Sequence, residues 1–151
     1  MSDTPELKPT RGAPITALGF DFGTRHIGLA IAQTLTSSAR PLLVLPAKDG
    51  QPNWPQVLKH IEQWLPDLLI VGLPLNIDGS ESEFCARARK FARRLEGRSG
   101  YKVVMVDERL STREAKSLQP AENYRQAPVD ALAASLILES WLAQPSLAIK
   151  P

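Results

Sequence analysis

The stretch from Ala17 to Ala32 constrains the fold more than any other part of the chain. Two apolar runs, Ala17–Phe22 and Ile27–Ala32, flank a short turn that contains Gly23, which is the pattern of a tight β-hairpin. Asp21 lies within the first run, where a carboxylate is costly to bury unless a cation or hydrogen bonds compensate its charge. The stretch therefore predicts either a site for a divalent metal or a phosphate, or a turn in which Asp21 bonds to local amides.

Size and composition favour one folded domain. The chain has 151 residues, of which 43% are hydrophobic and 23% are charged, as in an ordinary globular domain. No apolar run reaches the roughly 18 residues of a membrane span, the first residues contain no apolar signal segment, and the single Cys85 excludes an internal disulfide. These features predict a cytoplasmic protein with no membrane partner. The net charge of +2 neither requires nor excludes a nucleic-acid partner.

The order of the elements predicts a mixed α/β sheet. Strands are predicted at residues 15–22, 27–33, 39–45, 67–74 and 101–106. Three strands come first and then strands alternate with helices, which favours a sheet that is antiparallel at one edge, with helices packed on it. The predicted domain covers residues 15–143, with a disordered leader at 1–14 and a flexible tail at 144–151.

Acidic residues fall where strands end and where the last helix begins. Asp21 lies on the first strand, Asp107 and Glu108 follow the last strand, and Asp130 opens the final helix. Ligands of open α/β sheets gather at the carboxyl ends of the strands, so these groups can converge if the first and last strands are neighbours. Such a cluster repels itself unless cations bind it, and oxygen ligands favour Mg²⁺ or Mn²⁺. The alternative is that Asp130 only caps its helix and that Asp107 only shapes a turn.

Four segments of the chain resemble the YqgF family of RNase H-like proteins, which are also described as Holliday-junction-resolvase-like and as pre-16S rRNA nucleases. The segments are Gly19–Gly28, Val71–Gly79, Asp107–Thr112 and Asp130–Ala134. They occur in the order typical of the family and span nearly the whole chain outside its two ends. Each motif is weak by itself, but the four together are specific.

The resemblance implies an RNase H-like fold with a mixed five-stranded sheet, whose first three strands are antiparallel, and with helices on both faces. It also implies that Asp21, Glu108 and Asp130 are the catalytic acids and that they hold Mg²⁺ or Mn²⁺, as two ions. These assignments come from the resemblance and not from the spacing of the residues.

One departure from the wider resolvase pattern affects the second acid. The fourth predicted strand runs into Pro74 and Asn76, with no carboxylate where resolvases usually place one. Glu108, one strand later, would then take that place. Asp107 is the alternative ligand, although neighbours on an extended backbone point to opposite faces, and we prefer Glu108.

Basic and polar residues close to these acids are candidates for substrate binding. Arginine side chains that can hold phosphates bidentately are Arg25, Arg109 and Arg113. Neutral side chains that can contact phosphate or sugar are Thr24, Asn76, Ser111 and Thr112.

The predicted helix near residues 81–95 carries the densest cluster of positive charge. Its members are Arg87, Arg89, Lys90, Arg93, Arg94 and Arg98. A solvated helix face is one interpretation, but the near-absence of compensating acids favours contact with nucleic acid, above all through Arg87, Lys90 and Arg94. Among the tryptophans, Trp54 is the one for which exposure is expected.

The resemblance and the residues together predict a nuclease that acts on structured RNA, such as pre-rRNA, or on branched DNA, as a monomer or a homodimer. Maturation of the 5′ end of pre-16S rRNA is the task that the resemblance favours. Alternatives are a Holliday-junction resolvase and a non-catalytic binding factor in transcription or ribosome assembly. Asp21–Thr24 also resembles the phosphate loop of actin- and Hsp70-like ATPases, but those proteins need two such domains and this chain supplies one.

Overall fold

A computed structural model describes residues 13–109 and 129–151. The strands are β1 (Thr16–Asp21), β2 (His26–Gln33), β3 (Ser38–Lys48), β4 (Gln51–Pro52), β5 (Leu68–Leu73) and β6 (Val103–Asp107). The helices are α1 (Trp54–Trp64), α2 (Glu83–Ser99) and α3 (Val129–Ala143). Among the described residues, no helix is both long enough and apolar enough to cross a membrane.

The strands form one mixed sheet in the order β4-β3-β2-β1-β5-β6. The first three strands are antiparallel, whereas β1, β5 and β6 are parallel to one another, as the sequence predicts. The count of five strands is wrong by one, because the two-residue β4 pairs with the end of β3. The third strand is also longer than its predicted span, since it runs through Pro46 to Lys48. Proline is tolerated there because the outer edge of β3 is paired only at Ala47 and Lys48.

Helices cover both faces of the sheet, so this part of the prediction is confirmed. Alternate residues of a strand point to opposite faces, and β1 divides accordingly. Leu18 and Phe20 pack in the core beneath α1 and α2, whereas Ala17 packs in the core beneath α3. Asp21 follows the parity of Ala17 and therefore lies on the α3 face.

The last residues of the chain are attached to the sheet, which differs from the flexible tail that the sequence predicts. Residues Pro145–Leu147 form a short 3-10 helix. Ile149 then pairs with Met105 of β6 through two backbone hydrogen bonds of 2.7 and 2.9 Å, and Arg89 of α2 donates to the carbonyl of Lys150. The chain end thus contacts both an outer strand and a helix.

The close approach of α3 to the sheet depends on residues without a side chain. A Cβ atom on Gly28 would overlap the backbone carbonyl of Asp130, and one on Gly19 would lie 2.6 Å from Cγ of Leu138. Backbone atoms cannot move aside as the end of a long side chain can, so Gly28 is the stricter requirement. It sets the position at which the first turn of α3 meets β2.

We predict that Gly28→Ala lowers the free energy of unfolding by about 3 kcal/mol or more, because the new methyl group would push the first turn of α3 off β2. Urea denaturation followed by circular dichroism measures this change. The matched control is Gly97→Ala, since Gly97 lies in α2 with nothing within 4 Å of an added Cβ. The control should raise stability by about 0.5–1 kcal/mol, and equal denaturation midpoints for the two variants would contradict the packing argument.

Candidate active site

Asp21 and Asp130 are brought together by the β1–β2 hairpin and by α3. Asp21 ends β1 and is paired with Gly28 of β2. Gly28 in turn lies directly against the backbone of Asp130, in the first turn of α3. The two carboxylates therefore lie near each other on the α3 face, although they are 109 positions apart in the sequence.

Glu108 reaches the same place from the other side of the sheet. It directly follows β6, and its Oε2 would lie only 2.5 Å from a Cβ atom on Gly72 of β5. The pairing of Phe20 with Val71 shows that Gly72 is level with the end of β1. The bare backbone at Gly72 therefore leaves space for the Glu108 carboxylate between β6 and Asp21.

The electrostatics of these acids reflect burial and mutual repulsion. Burial, and after it the charge of Asp130, raises the pKa of Asp21 to about 7. Burial, followed by the charges of Asp21 and Asp107, raises the pKa of Glu108 to about 8. Each carboxylate thus faces negative charge in a partly desolvated position, and a bound cation would relieve both effects.

Asp107 has a different role from its neighbour Glu108. Its carboxylate accepts hydrogen bonds from Nε and Nη2 of Arg109, the shortest at 2.7 Å, and from the Arg109 amide. Burial tends to raise the pKa of Asp107, but these bonds outweigh it and lower the pKa below its usual range. Arg109 also donates through Nη1 to the carbonyl of Ile77, so the ion pair ties the end of β6 to the loop after β5.

The acids fit a hard cation by their chemistry, although they are not arranged as a finished metal site. Within residues 13–109 and 129–151, no three histidine, cysteine, aspartate or glutamate side chains converge at metal-binding spacing. Carboxylate oxygens are the ligands that Mg²⁺ and Mn²⁺ prefer. Asp21, Glu108 and Asp130 lie at one end of the sheet, and two of them have raised pKa values, so small side-chain rotations towards a cation would be favourable.

The residues predicted to contact the substrate near the acids differ in how available their side chains are. Thr24 and the exposed Arg25 lie in the turn directly after Asp21. Asn76 is also exposed, but its side chain donates to the hydroxyl of Ser80 and shapes its own loop. Arg109, a predicted phosphate ligand, is engaged by Asp107 and Ile77 as described above. The predicted contacts Ser111, Thr112 and Arg113 lie outside the described residues.

The basic cluster of α2 lies on the face of the sheet opposite the acids, since α2 packs on the core that contains Phe20. Three of its members have defined partners: Arg87 pairs with Asp49, Arg89 with Glu81, and Arg98 lies over the ring of Trp54. The remaining members have no ion pair within the described part of the chain; they are Lys90, Arg93 and Arg94. The expected exposure of Trp54 is wrong, because its ring stacks on Phe91 and is 8% exposed.

A family model described as RuvX, Holliday junction resolvase, matches residues 15–144. The chain belongs to the RuvX family. This confirms the resemblance to YqgF, which is the same family.

Two relatives carry the name "Putative pre-16S rRNA nuclease". The one from Azotobacter vinelandii is 53% identical and aligns over 87% of this chain and 95% of its own length. The one from Edwardsiella ictaluri is 55% identical over 85% of this chain and 94% of its own length.

Solved structures of resolvases share the RuvX chain's architecture. Thermus thermophilus RuvC has a TM-score of 0.54 and 18% identity, with 89% of this chain and 99% of that chain covered. The Holliday junction resolvase of fowlpox virus has a TM-score of 0.50 and 14% identity, with 85% and 99% covered. At such low identity the likeness establishes the fold alone, which is RNase H-like.

The structure adds residues that the sequence analysis does not single out as part of the site. Gly72 provides the space beside Glu108, and only the strand register could have revealed it. The sequence places His26 after the hairpin turn, and in the structure its Nδ1 lies 3.9 Å from Oδ2 of Asp130.

We predict that stability in metal-free solution falls as the pH rises. The folded-state pKa values of Asp21 and Glu108 are about 7 and about 8, whereas exposed carboxyl groups titrate near about 4. Between these limits the folded chain holds protons that the unfolded chain has released. The free energy of unfolding should therefore drop across this window by several kcal/mol, on the order of 5 to 9 kcal/mol for the two groups together.

Urea denaturation at a series of pH values, in the presence of a chelator, measures this decline. Asp21→Asn should flatten it, because one of the two protonated groups is removed and the repulsion on Glu108 is relieved. Glu62→Gln, an exposed carboxylate on α1, serves as the control and should leave the slope as it is in the native chain. Equal slopes in all three proteins would contradict the electrostatic assignment.

Proposed function

We propose that this RuvX chain is a divalent-metal-dependent nuclease that hydrolyses phosphodiester bonds, and that its task is maturation of the 5′ end of pre-16S rRNA in the cytoplasm. The observation that carries the proposal is that Asp130 and Glu108 both lie near Asp21 at one end of the sheet, where burial and mutual repulsion raise the pKa values of Asp21 and Glu108. The name shared by relatives at 53% and 55% identity supports the choice of RNA.

In this proposal Asp21, Glu108 and Asp130 hold the metal, with Asp21 between the other two. Two Mg²⁺ or Mn²⁺ ions bound there would supply an activated water and stabilise the leaving oxygen of the phosphodiester. Asp21 is suited to the central place because its pKa responds to Asp130 and in turn raises that of Glu108. Asp107 is assigned no ligand role, because its oxygens are held by Arg109.

The substrate strand is positioned by the residues around the acids. Arg25 and Thr24, in the turn after β1, would contact phosphates beside the scissile bond. Arg109 contributes as a positioning residue, since it joins Asp107 to the carbonyl of Ile77 and so fixes the loop between β5 and α2. The side chains of this loop then border the site.

Cleavage of branched DNA is the second candidate. The description of the RuvX family model and the fold shared with Thermus thermophilus RuvC favour it. A fold hosts many substrates, so this support is weaker than that from the much more similar relatives.

We predict that Asp21→Asn and Glu108→Gln each lower the cleavage rate by about a hundredfold or more, since each removes a metal-binding charge. The assay incubates the protein with a pre-16S RNA that carries its 5′ leader and, separately, with a four-way DNA junction, each with Mg²⁺ or Mn²⁺. The RNA should be cut and the junction should not.

Asp107→Asn is the matched control, because it alters the neighbouring carboxylate by the same chemistry. It should retain activity within about tenfold of the native chain, since it disturbs only the support from Arg109. Loss of activity in Asp107→Asn together with full activity in Glu108→Gln would transfer the ligand role to Asp107. If neither substrate is cut while both still bind, the nuclease proposal fails.

A further inference from the structure

A pocket of about 190 Å³ lies on the α2 face of the sheet, away from the carboxylates. The turn at residues 49–51, the start of α1 and the middle of α2 enclose it. Its walls combine aromatic rings with cationic side chains. It is therefore the strongest candidate for a binding site beyond the acids.

Aromatic residues form the inner wall. Phe91 lies at the centre, with Trp54 stacked on it at 5.6 Å between ring centroids and Phe22 at 5.2 Å. Each of these rings is held by its neighbours, so the wall is rigid before any ligand arrives. The ring faces cover one another, and Arg98 covers the second face of Trp54, so each ring is less than a tenth exposed and the wall presents ring edges to the pocket. The flat face of a nucleobase can pack against such edges, and a preformed wall orders it with little loss of conformational entropy.

Cationic residues form the rim. Arg87, Lys90 and Arg94 are three and four positions apart on α2 and thus share one side of the helix. Arg87 donates to the carboxylate of Asp49 at 2.9 Å, but Asp49 is 86% exposed, and exposed ion pairs of this type contribute little. A phosphate can therefore displace Asp49, and Lys90 and Arg94 add positive charge that no ion pair in the described residues offsets.

The pocket is connected to the catalytic end of β1. Phe22 directly follows Asp21 and points to the opposite face. Gly50 donates its N–H to the carbonyl of Thr24 at 2.8 Å, so the turn that lines the pocket is tied to the turn that follows Asp21. A strand that bends around this end of the sheet would pass from the acids to the pocket.

We propose that this pocket binds one unpaired nucleotide of the nucleic-acid strand, with the face of its base against the ring edges of the aromatic wall and its phosphate on Arg87, Lys90 and Arg94. The bases of a duplex are stacked on one another and cannot enter a concave site, whereas an unpaired base can be turned outwards. Gln51 at the mouth offers an amide that can donate to and accept from the base edge. The proposal rests on the proposed function for the identity of the strand, and the pocket can be tested separately.

The first experiment measures binding to fluorescein-labelled RNA hairpins with a chelator present, so that nothing is cut. Both hairpins have the same stem and the same compact, internally stacked loop; one also has a single-stranded 5′ extension, whereas the other, the paired hairpin, has none. Lys90→Ala and Arg94→Ala should each weaken binding of the extended hairpin by about tenfold, and each should lower the slope of affinity against salt by about one. Binding of the paired hairpin should change less than about twofold in both variants.

Arg93→Ala is the matched control, because it removes the same charge from an exposed position of the same helix outside the pocket. It should weaken both hairpins equally and by less than about twofold. Equal losses for Arg93→Ala and Arg94→Ala on the extended hairpin would overturn the pocket and leave only a diffusely charged helix face. Thermal unfolding of all variants excludes a loss through misfolding.

The second experiment titrates the native chain with adenosine monophosphate and with inorganic phosphate while tryptophan fluorescence is recorded. Stronger binding of the nucleotide, weakened by Gln51→Ala, supports contact with the base. Equal binding of the two probes would overturn it.

The failure of the pocket proposal can be distinguished from the failure of the nuclease proposal. If the native chain cuts RNA and the pocket variants bind like Arg93→Ala, only the pocket proposal fails. If no RNA is cut but the preference for the extended hairpin persists, only the nuclease proposal fails.

Discussion

The contact between the first turn of α3 and the backbone of Gly28 is the constraint on which the site depends. It allows the helix to lie directly on the hairpin, and the helix carries Asp130 to the end of β1. Gly72 repeats the arrangement on the other flank, where the missing side chain leaves room for the Glu108 carboxylate. The site is therefore made as much by absent side chains as by the acids themselves.

Two adjacent residues show how the sheet separates structural from chemical roles. Asp107 and Glu108 differ by one position, yet the pKa of the first is lowered and that of the second is raised. The difference arises because Asp107 turns towards a guanidinium, whereas Glu108 turns towards another carboxylate. Arg109 thus neutralises the negative charge of Asp107 in a region that already holds three other acids. The same guanidinium also anchors a loop, because it donates to the carbonyl of Ile77.

Much of this arrangement can be predicted from the sequence, because it depends on local patterns. The hairpin around Asp21, the order of the strands along the chain and the helix that begins near Asp130 all follow from apolar runs and turn residues. The family resemblance is what identifies Glu108 as one of the predicted catalytic acids. The engagement of Arg109 could not be predicted, since it depends on the position of the Ile77 carbonyl, 32 residues away.

The location of the basic cluster illustrates a second limit. Periodicity shows that Arg87, Lys90 and Arg94 share a side of α2, but not which face of the sheet the helix covers. The nearly universal right-handedness of parallel crossovers settles that question only once the order of β1, β5 and β6 is known. The burial of Trp54 is not predicted for a related reason, because the ring on which it stacks belongs to Phe91, which is distant in sequence.

The anchored chain end bears on how copies of the protein can meet. Ile149 occupies the middle of the outer edge of β6, and the opposite edge ends in the two-residue β4 beside a strand that contains Pro41 and Pro46. Within the described residues, the bridge to Ile149 interrupts one edge and two prolines interrupt the other, and such interruptions are among the ways in which natural sheets avoid joining edge to edge. Both interruptions make pairing between the sheets of two copies of this chain less favourable than contact through helices and loops.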